Sequence, residues 1–428
     1  MKSERMMQIL IPVAVFLLFS GGSARNATLE PPQTDSLVAI ADELLPIAAR
    51  LRGLEPKAPI QKGIKSREEI SAFIHQQVDR HFKKGELVNE GLMLKKLGLI
   101  PMDMDYADFS IKLLTEQIGG YYDPEKKSLV IAGWLPVQEQ KPALIHELTH
   151  ALQDQHFKLG DMMKRSRALN NDDMSLAHQA IHEGDAMAVT INYMLEPAGK
   201  TFLDMPNFLL FMNAQMAVMS QEFKMLKSAP EYIREILVFP YTYGTAFLQR
   251  VMAANKSWAA VNRIYDDLPS STEQIIHPEK YLEKRDPPKM IGAADPARKL
   301  GKDWEIARRN VLGEFSFFLL LKLHLPEEAA RKAATGWGGD QAILASNKKS
   351  GLSALFVESE WDDLESASRI SEALSAWLKQ RYPTADSIQE SGGGLALLSA
   401  GEFHSVRRTG ASVRLILGVP ESLSGGFR

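Results

Sequence analysis

The stretch ALIHELTHALQDQHF, residues 143–157, constrains the chain most, because it places His146 and His150 four positions apart in a predicted helix. Residues four apart on a helix differ by about 40° in direction, so the two imidazoles point the same way and can bind one small cation. Glu147 lies beside them, where it can accept a proton from a water molecule on that cation. The neighbouring residues are uncharged, which favours a buried helix with one polar face, at positions 144, 145, 148, 149, 151 and 152.

A catalytic metal site needs a third protein ligand, and two residues are candidates. His156 lies ten positions after His146, which is the spacing of the metzincin peptidases, where a glycine turns the chain back toward the metal. This chain has Gln153 at the glycine position, so a continuing helix would direct His156 roughly 100° away from the two histidines. Glu183, in the predicted helix AIHEGDAMAV, would instead complete a His₂Glu site with an open fourth position. We predict that Glu183 is the third ligand.

Four further polar residues near these ligands have other interpretations. His182 and His178 would point about 100° and 140° away from Glu183 on its helix, so each is interpreted as a surface or packing histidine. Asp154 and Asp185 could orient the ligand histidines through hydrogen bonds, or could be solvated carboxylates. The sequence leaves both alternatives open for the two aspartates.

The chain contains no cysteine, so disulfides, zinc-thiolate sites and cysteine nucleophiles are excluded. A catalytic metal must therefore be held by histidine, aspartate or glutamate. Two imidazoles, one carboxylate and an open position suit Zn²⁺, although the spacing alone also permits Co²⁺ or Mn²⁺. We predict one zinc ion per chain.

The N-terminal sequence MKSERMMQILIPVAVFLLFSGGSARNA has the features of a secretory signal peptide, which we assign to residues 1–24. Two basic residues precede an apolar run from Ile9 to Phe19, and small residues follow it. The run of 11 residues is shorter than the roughly 20 that are needed to span a bilayer. We therefore predict export to the periplasm or the extracellular space, with no stable membrane span after the signal is removed.

Composition and charge argue against two classes of partner. Apolar residues make up 45% of the 428-residue chain and the formal net charge is −3, which is ordinary for a globular protein of two domains. This near-neutral balance indicates neither a nucleic acid nor an anionic membrane surface as the partner. The oligomeric state is not indicated by any of these features.

The pattern along the chain predicts an α+β protein. Helical spacing recurs before and after HELTH, and the run IGGYYDPEKKSLVIAG predicts a β-hairpin directly before the metal helix. Ser66 and Glu69 fit a capping box at the start of one helix. A charged, Pro-containing stretch near 283–301 separates a domain at 36–290 from a C-terminal α+β module at 302–428, where strand-like runs alternate with helices.

These motifs resemble the zincin peptidases, and in particular the gluzincins, which combine HExxH with a downstream helical glutamate. The match rests on HELTH, EGDA and the preceding strand pair. The chain is also similar to a set of poorly characterised exported bacterial proteins, through EQIGGYYDP, HELTHALQDQHF, FPYTYG and STEQIIHPEKY between residues 66 and 281. The resemblance implies a mainly helical zincin-like catalytic domain. It departs from the commonest gluzincin pattern because Met187 stands where an aspartate usually follows the ligand glutamate.

A peptidase also needs a donor for the developing oxyanion, commonly a tyrosine hydroxyl or a histidine. Tyr243 and Tyr241 in FPYTYG and His277 in STEQIIHPEKY are candidates, because each lies near proline or glycine, where chains turn. We take Tyr243 and His277 as predicted catalytic residues beside Glu147. A packing or hydrogen-bonding role is the alternative for each of them.

The strand before the metal helix lies along the cleft in zincins and pairs with an extended substrate. Gly119 and Gly120 belong to the corresponding stretch of this chain. They would permit close approach of a substrate backbone, or would form a bulge or tight turn.

The sequence therefore predicts an exported zinc-dependent endopeptidase that acts on a peptide or protein substrate, with Glu147 as the general base. Two alternatives remain open. One is a non-catalytic, metal-containing binding or scaffold protein of the cell envelope. The other is a metal-dependent amidase that acts on a non-peptide or cell-wall amide.

Overall fold

The computed structural model describes residues 34–81, 85–117, 119–135, 137–219, 223–253, 256–292, 295–388 and 394–427. These residues form an α+β protein, as predicted. The predicted signal peptide lies outside the described residues. Among the helices that are described, none combines the length and the apolar character needed to cross a membrane.

The first elements of the chain surround a small sheet. In order they are α1 (Thr34–Arg52), β1 (Gln61–Lys65), α2 (Arg67–His81), α3 (Glu86–Leu97), α4 (Tyr106–Gln117), β2 (Gly120–Asp123) and β3 (Ser128–Ala132). Helix α1 packs its apolar face on the helix that carries HELTH, in a cluster that includes Leu44 and Leu148. The N-terminal helix is thereby part of the core around the predicted metal helix.

The small sheet has the strand order β1-β3-β2. Strands β2 and β3 pair in antiparallel register, which confirms the predicted hairpin, and β1 pairs with β3 in parallel register. Strand β1 was not predicted, because its sequence QKGIK lacks the alternating apolar residues of a half-buried strand. The predicted capping box of α2 is present, since Ser66 N–H donates to Glu69 Oε2 at 2.8 Å and Glu69 N–H donates to Ser66 Oγ at 3.2 Å.

A bundle of helices follows the hairpin and carries the predicted site residues. Its members are α5 (Val137–Phe157), α6 (Leu159–Arg167), α7 (Asp172–Leu195), α8 (Phe208–Met219), α9 (Lys224–Ser228), α10 (Glu231–Met252), α11 (Trp258–Ile264), α12 (Thr272–Ile276), α13 (Glu279–Leu282) and α14 (Pro296–Leu300). The expectation that the chain turns at FPYTYG is wrong, because Pro240 and Gly244 both lie inside α10. Most residues around this proline are buried, so packing outweighs the loss of one backbone hydrogen bond.

Helices α7 and α10 approach each other at two glycines. A Cβ atom added to Gly244 would overlap the backbone oxygen of Ala180, and one added to Gly184 would overlap the backbone of Gly244. Only residues without a side chain permit helix backbones to come this close. Because Gly184 directly follows Glu183, the crossing fixes the position of the predicted third ligand.

The last part of the chain is a seven-stranded antiparallel sheet with helices packed on it. Its elements are β4 (Trp304–Asn310), α15 (Gly313–Lys322), α16 (Glu327–Ala334), β5 (Trp337–Asn347), β6 (Ser353–Trp361), α17 (Leu364–Arg381), β7 (Asp386–Ile388), β8 (Leu395–Ser399), β9 (Glu402–Thr409) and β10 (Ser412–Pro420). The strand order is β4-β5-β6-β10-β9-β8-β7. The sequence predicts strands at GWGGDQAILASN, SALFVESEWD, SGGGLALLSAG, EFHSVRRTG and ASVRLILGVP, and these are confirmed as β5, β6, β8, β9 and β10. The two edge strands, β4 and β7, do not follow from the sequence.

One hydrophobic core extends across both parts of the chain. It includes Ile181 of α7, Phe315 of α15 and Leu415 of β10. The rings of Phe239 in α10 and Phe315 are in direct contact, with centroids 4.4 Å apart. The predicted division into two domains stays a prediction.

Replacement of Gly244 by alanine tests the helix crossing. The added methyl group would overlap the backbone of α7, and overpacking of this kind costs about 1–3 kcal/mol of unfolding free energy or more. We expect Gly244→Ala to lower the urea midpoint of unfolding. Gly63→Ala is the matched control, because its Cβ would meet nothing within 4 Å. Equal midpoints for the two variants would show that the crossing does not require glycine.

Candidate metal centre

The three predicted ligands lie together where α5 packs on α7. The Nε2 atoms of His146 and His150 are 3.0 Å apart, and Glu183 Oε2 lies 3.1 Å from the first and 3.4 Å from the second. One turn of α5 supplies the two imidazoles and the middle of α7 supplies the carboxylate. The structure therefore brings together the three residues that the sequence proposed as ligands.

The spacing of these atoms fits a tetrahedral metal ion. Nitrogen and oxygen ligands lie about 2.0–2.1 Å from Zn²⁺, which puts any two corners of a tetrahedron roughly 3.3 Å apart. The three separations differ from that value by about 0.3 Å or less. Two imidazoles and one carboxylate are also the donor set of catalytic zinc sites. These residues could therefore hold a metal ion.

Burial and mutual charge set the protonation of the three ligands. Burial lowers the pKa of His146 to about 4, so its imidazole is neutral. Burial alone would raise the pKa of Glu183, but the neighbouring His150 and His146 outweigh it and lower the pKa to about 2. Burial also opposes a charge on His150, yet the Glu183 carboxylate beside it raises the pKa of His150 to about 9. The cluster thus pairs the Glu183 carboxylate anion with a protonated His150.

Glu147 is held at the edge of this cluster by strand β2. Its Oε2 accepts a hydrogen bond from the backbone N–H of Tyr122 at 2.8 Å. Its side chain is almost fully buried, and burial raises the pKa of Glu147 to about 8. A carboxyl group whose pKa lies near neutrality can accept and return a proton at physiological pH. The position suits the predicted general base.

Gln153 connects the two helices that carry the ligands. Its Oε1 lies 2.8 Å from His150 Nδ1, and its Nε2 donates to the backbone carbonyl of His182 at 3.0 Å. In the sequence, Gln153 stands out only as the residue at the glycine position of the metzincin spacing. Its spacing of three residues from His150, which puts both on one face of a helix, is the signal that could have identified this contact.

His182 packs against the cluster. Its ring centroid lies 5.7 Å from that of His150, and its Nδ1 lies 3.6 Å from Glu183 Oε1. Burial lowers the pKa of His182 to about 3. Within the described ranges, His182 Nδ1 and Glu183 Oε1 have no hydrogen-bond partner. These contacts are those of a buried packing histidine, which is one of the roles considered for it.

The two aspartates near the ligands have partners on other elements. Asp185 accepts hydrogen bonds from Arg52 Nε at 2.5 Å and from the Tyr265 hydroxyl at 2.8 Å, and the Arg52 and Asp185 side chains are fully buried. Asp154 accepts a hydrogen bond from the Tyr122 hydroxyl at 3.1 Å. The solvated alternative is therefore wrong for Asp185. The two contacts anchor α7 to α1 and β2 to α5.

His156 and His178 contact residues away from the ligands. Helix α5 continues to Phe157, so the prediction that His156 lies on a continuing helix is confirmed. His156 Nε2 lies 2.8 Å from the backbone oxygen of Glu55. His178 Nδ1 lies 2.5 Å from Ser166 Oγ. His156 therefore contacts the segment after α1, and His178 contacts α6.

Tyr243 and His277 lie in other surroundings. The Tyr243 hydroxyl is 3.3 Å from Arg331 Nη1, on helix α16. His277 follows α12, and its Nε2 is 2.9 Å from Glu314 Oε1 on α15. The structure does not bring either side chain together with the ligands in these contacts. Their catalytic roles stay predictions that the geometry does not support.

Tyr241 is the tyrosine of FPYTYG that faces the cluster. Its ring centroid lies 6.1 Å from that of His146. Residues two apart on a helix point in nearly opposite directions, which is why Tyr241 and Tyr243 have different neighbours on α10. The sequence named both tyrosines, but a choice between them required knowing that the helix passes through Pro240.

Gly120 has a structural explanation within the small sheet. Its φ is +150°, and a Cβ atom at this position would lie 2.9 Å from the backbone oxygen of Val130 in β3. An ordinary side chain would be strained here. Pairing with β3 therefore accounts for this glycine.

A second group of carboxylates surrounds a lysine. Lys280 Nζ lies 2.6 Å from Glu273, 2.9 Å from Asp286 and 2.8 Å from Asp362. The ammonium group offsets part of the negative charge of these carboxylates, and burial raises the pKa of Glu273 to about 9. The arrangement is a salt-bridge network that joins α12, α13 and the loops after α13 and β6.

Metal analysis of the purified protein tests the ligand set. We expect wild-type protein dialysed against zinc to hold about one ion per chain, and Glu183→Ala to lose it because only two ligands remain. His156→Ala is the matched control, since it removes an imidazole from the same helix, and it should bind zinc like wild type. Loss of zinc from His156→Ala with retention in Glu183→Ala would contradict the assignment.

Comparisons with known proteins reach only part of this chain. Residues 303–424 match the family described as "Domain of unknown function (DUF8575)", which spans β4 to β10. No curated protein matches the chain. Among solved structures, the crystal structure of "a putative hydrolase with a novel fold" from Chloroflexus aurantiacus is similar at 15% identity and a TM-score of 0.34, over 65% of this chain and 97% of that chain. A TM-score this low supports no inference about fold or activity.

Proposed function

We propose that this protein is a zinc-dependent hydrolase that cleaves peptide bonds as an endopeptidase. The observation that carries the proposal is a cluster of three ligand atoms, 3.0–3.4 Å apart, with a buried carboxyl group beside it on the same helix. Structural zinc sites are closed by four protein ligands and do not need a general base. Three protein ligands, with Glu147 beside them as a general base, are the components of a catalytic zinc site.

His146, His150 and Glu183 would hold the zinc ion. When bound, zinc supplies Lewis acidity, which polarises a carbonyl group and lowers the pKa of water to about 7. Glu183 contributes a negative charge to the ligand set, and the two histidines contribute neutral donors once His150 has released its proton. Burial of all three excludes bulk water and strengthens electrostatic interactions within the site.

Glu147 is the residue that moves the proton in this proposal. Its carboxylate takes a proton from the attacking water and delivers it to the leaving amine. The hydrogen bond from Tyr122 N–H holds one oxygen, Oε2, in place. A cation bound at the three ligands favours the ionised form of Glu147, which counteracts the effect of burial on its pKa.

Strand β2 supports a peptide as the substrate. In the order β1-β3-β2 it is an edge strand, and the Tyr122 N–H donates to Glu147. An extended peptide can add to such an edge through backbone hydrogen bonds, which would bring its carbonyl groups to the general base. Export to the periplasm or the extracellular space is part of the proposal and rests on the N-terminal sequence alone.

The substitution Glu147→Gln separates catalysis from metal binding. Glutamine has nearly the same shape and can still accept the Tyr122 N–H, so zinc content and unfolding temperature should match wild type. Its amide cannot accept a proton, so chelator-sensitive cleavage of unstructured casein should fall by about 10²–10⁴-fold. Undiminished cleavage by Glu147→Gln would exclude this residue as the general base.

The same assay distinguishes the alternatives to a peptidase. If wild-type protein binds zinc but does not cleave casein, the result favours an amidase or a non-catalytic binding protein over a peptidase. Release of free amine from peptidoglycan fragments would then identify the amidase, and its absence would favour the binding protein. Casein cleavage that survives chelation and Glu183→Ala would indicate a contaminating protease.

A pair of tyrosine substitutions tests the oxyanion donor. Tyr241 faces His146, whereas the Tyr243 hydroxyl contacts Arg331. We expect Tyr241→Phe to lower kcat by about 10²-fold, because loss of one donor to an oxyanion has an effect of that size. Tyr243→Phe should retain kcat. A fall confined to Tyr243→Phe would restore the role that the sequence suggested for it.

A further inference from the structure

We infer that Gln153 is a positioning residue that fixes the tautomer of His150 and ties the two ligand-bearing helices together. The inference rests on the proposed metal site and adds a residue outside the HExxH and glutamate motif. Gln153 would not contact the substrate or the metal. It acts through the imidazole that it holds.

The hydrogen bond to His182 fixes the orientation of the Gln153 amide. A backbone carbonyl can only accept a hydrogen bond, so the amide atom 3.0 Å from the His182 oxygen must be the NH₂ group. The oxygen of the same amide then faces His150 Nδ1 at 2.8 Å. A flipped amide would set two oxygens against each other, so the two ends cannot exchange.

The orientation of the amide determines which nitrogen of His150 carries the proton. Because Gln153 Oε1 can only accept, His150 Nδ1 must be protonated. A neutral imidazole has one N–H, so Nε2 then carries a free lone pair. Nε2 is the atom that lies 3.0 Å from His146 Nε2 and 3.4 Å from Glu183 Oε2. Gln153 therefore selects the tautomer that can bind a metal.

His146 has no equivalent contact in the described part of the chain, where its Nδ1 lacks a hydrogen-bond partner. Its ring is instead placed by the rings of His150 and Tyr241, with centroids 4.6 and 6.1 Å away. Of the two ligand histidines on α5, it is His150 whose Nδ1 is held by a hydrogen bond, and Gln153 supplies it.

The amide also sets the distance between the two helices. His182 directly precedes Glu183, so movement of α7 along α5 would stretch the bond between Gln153 Nε2 and the His182 oxygen. Gln153 is fully buried, which keeps water from competing for either hydrogen bond. One side chain therefore positions a ligand on each helix.

Two substitutions of Gln153 in the full chain test this role. Gln153→Leu has a similar shape and loses both hydrogen bonds, so we expect zinc affinity, measured by competition with a chromophoric chelator, to fall by about 10–100-fold. Gln153→Glu keeps an acceptor for His150 but cannot donate to His182, so it should recover part of that affinity. Thr149→Val is the control, because Thr149 is buried on the same helix and donates only to the Ile145 carbonyl at 2.7 Å. It should bind zinc like wild type.

A second readout follows His150 directly. In zinc-saturated protein labelled with ¹⁵N-histidine, the hydrogen-bonded Nδ1–H should give a downfield proton signal that exchanges slowly. We expect the signal in wild type, Thr149→Val and Gln153→Glu, and its loss in Gln153→Leu. A general loss of packing would not remove it selectively while the unfolding temperature is retained.

The outcomes separate this inference from the proposed function. Wild-type protein that binds no zinc would overturn both. If wild type binds zinc and Gln153→Leu shows the same zinc affinity and the same downfield signal, the role of Gln153 is overturned and the metal site stands. If Gln153→Leu does not fold, loss of the downfield signal in folded Gln153→Glu overturns the inference instead.

Discussion

The close approach of α7 and α10 at Gly184 and Gly244 is the constraint on which the rest of the structure depends. It places α7 at the centre of the molecule, where it also meets α5 through the ligand cluster and α1 through the buried pair of Arg52 and Asp185. These contacts leave α7 little freedom to slide or rotate. A carboxylate on such a helix can be held 3.1 and 3.4 Å from two imidazoles, although its burial is costly.

The metal ligands could be predicted because most of the site is local. His146, Glu147 and His150 follow from the geometry of one helical turn, and Glu183 follows from the need for a third donor in a chain without cysteine. Apart from Gln153, which lies three residues after His150, the residues around the ligands depend on tertiary contacts that the sequence does not encode locally. Which side of α10 faces the cluster depends on the helix continuing through Pro240. The residue before a proline disfavours helical backbone angles, so the local sequence predicts a break there.

The distinction between local signals and tertiary contacts also applies to the prediction of the strands. The strands that the sequence predicted have runs of apolar residues that pack on a core, whereas β1, β4 and β7 lie at sheet edges and have more polar sequences. Backbone pairing is possible for almost any side chain, so it leaves no pattern for a sequence argument to detect. The hairpin of β2 and β3 is the favourable case, because its buried residues and its turn both leave a local signal.

The buried pair of Arg52 and Asp185 has a consequence for maturation of the chain. Loss of one partner of a buried ion pair costs about 3–5 kcal/mol, because the remaining charge stays in a low-dielectric interior. Proteolytic removal of α1 would take the Arg52 partner from Asp185, two residues from Glu183, and would uncover the apolar face of α5. Cleavage on the N-terminal side of the helix at Thr34–Arg52 would preserve both of these contacts.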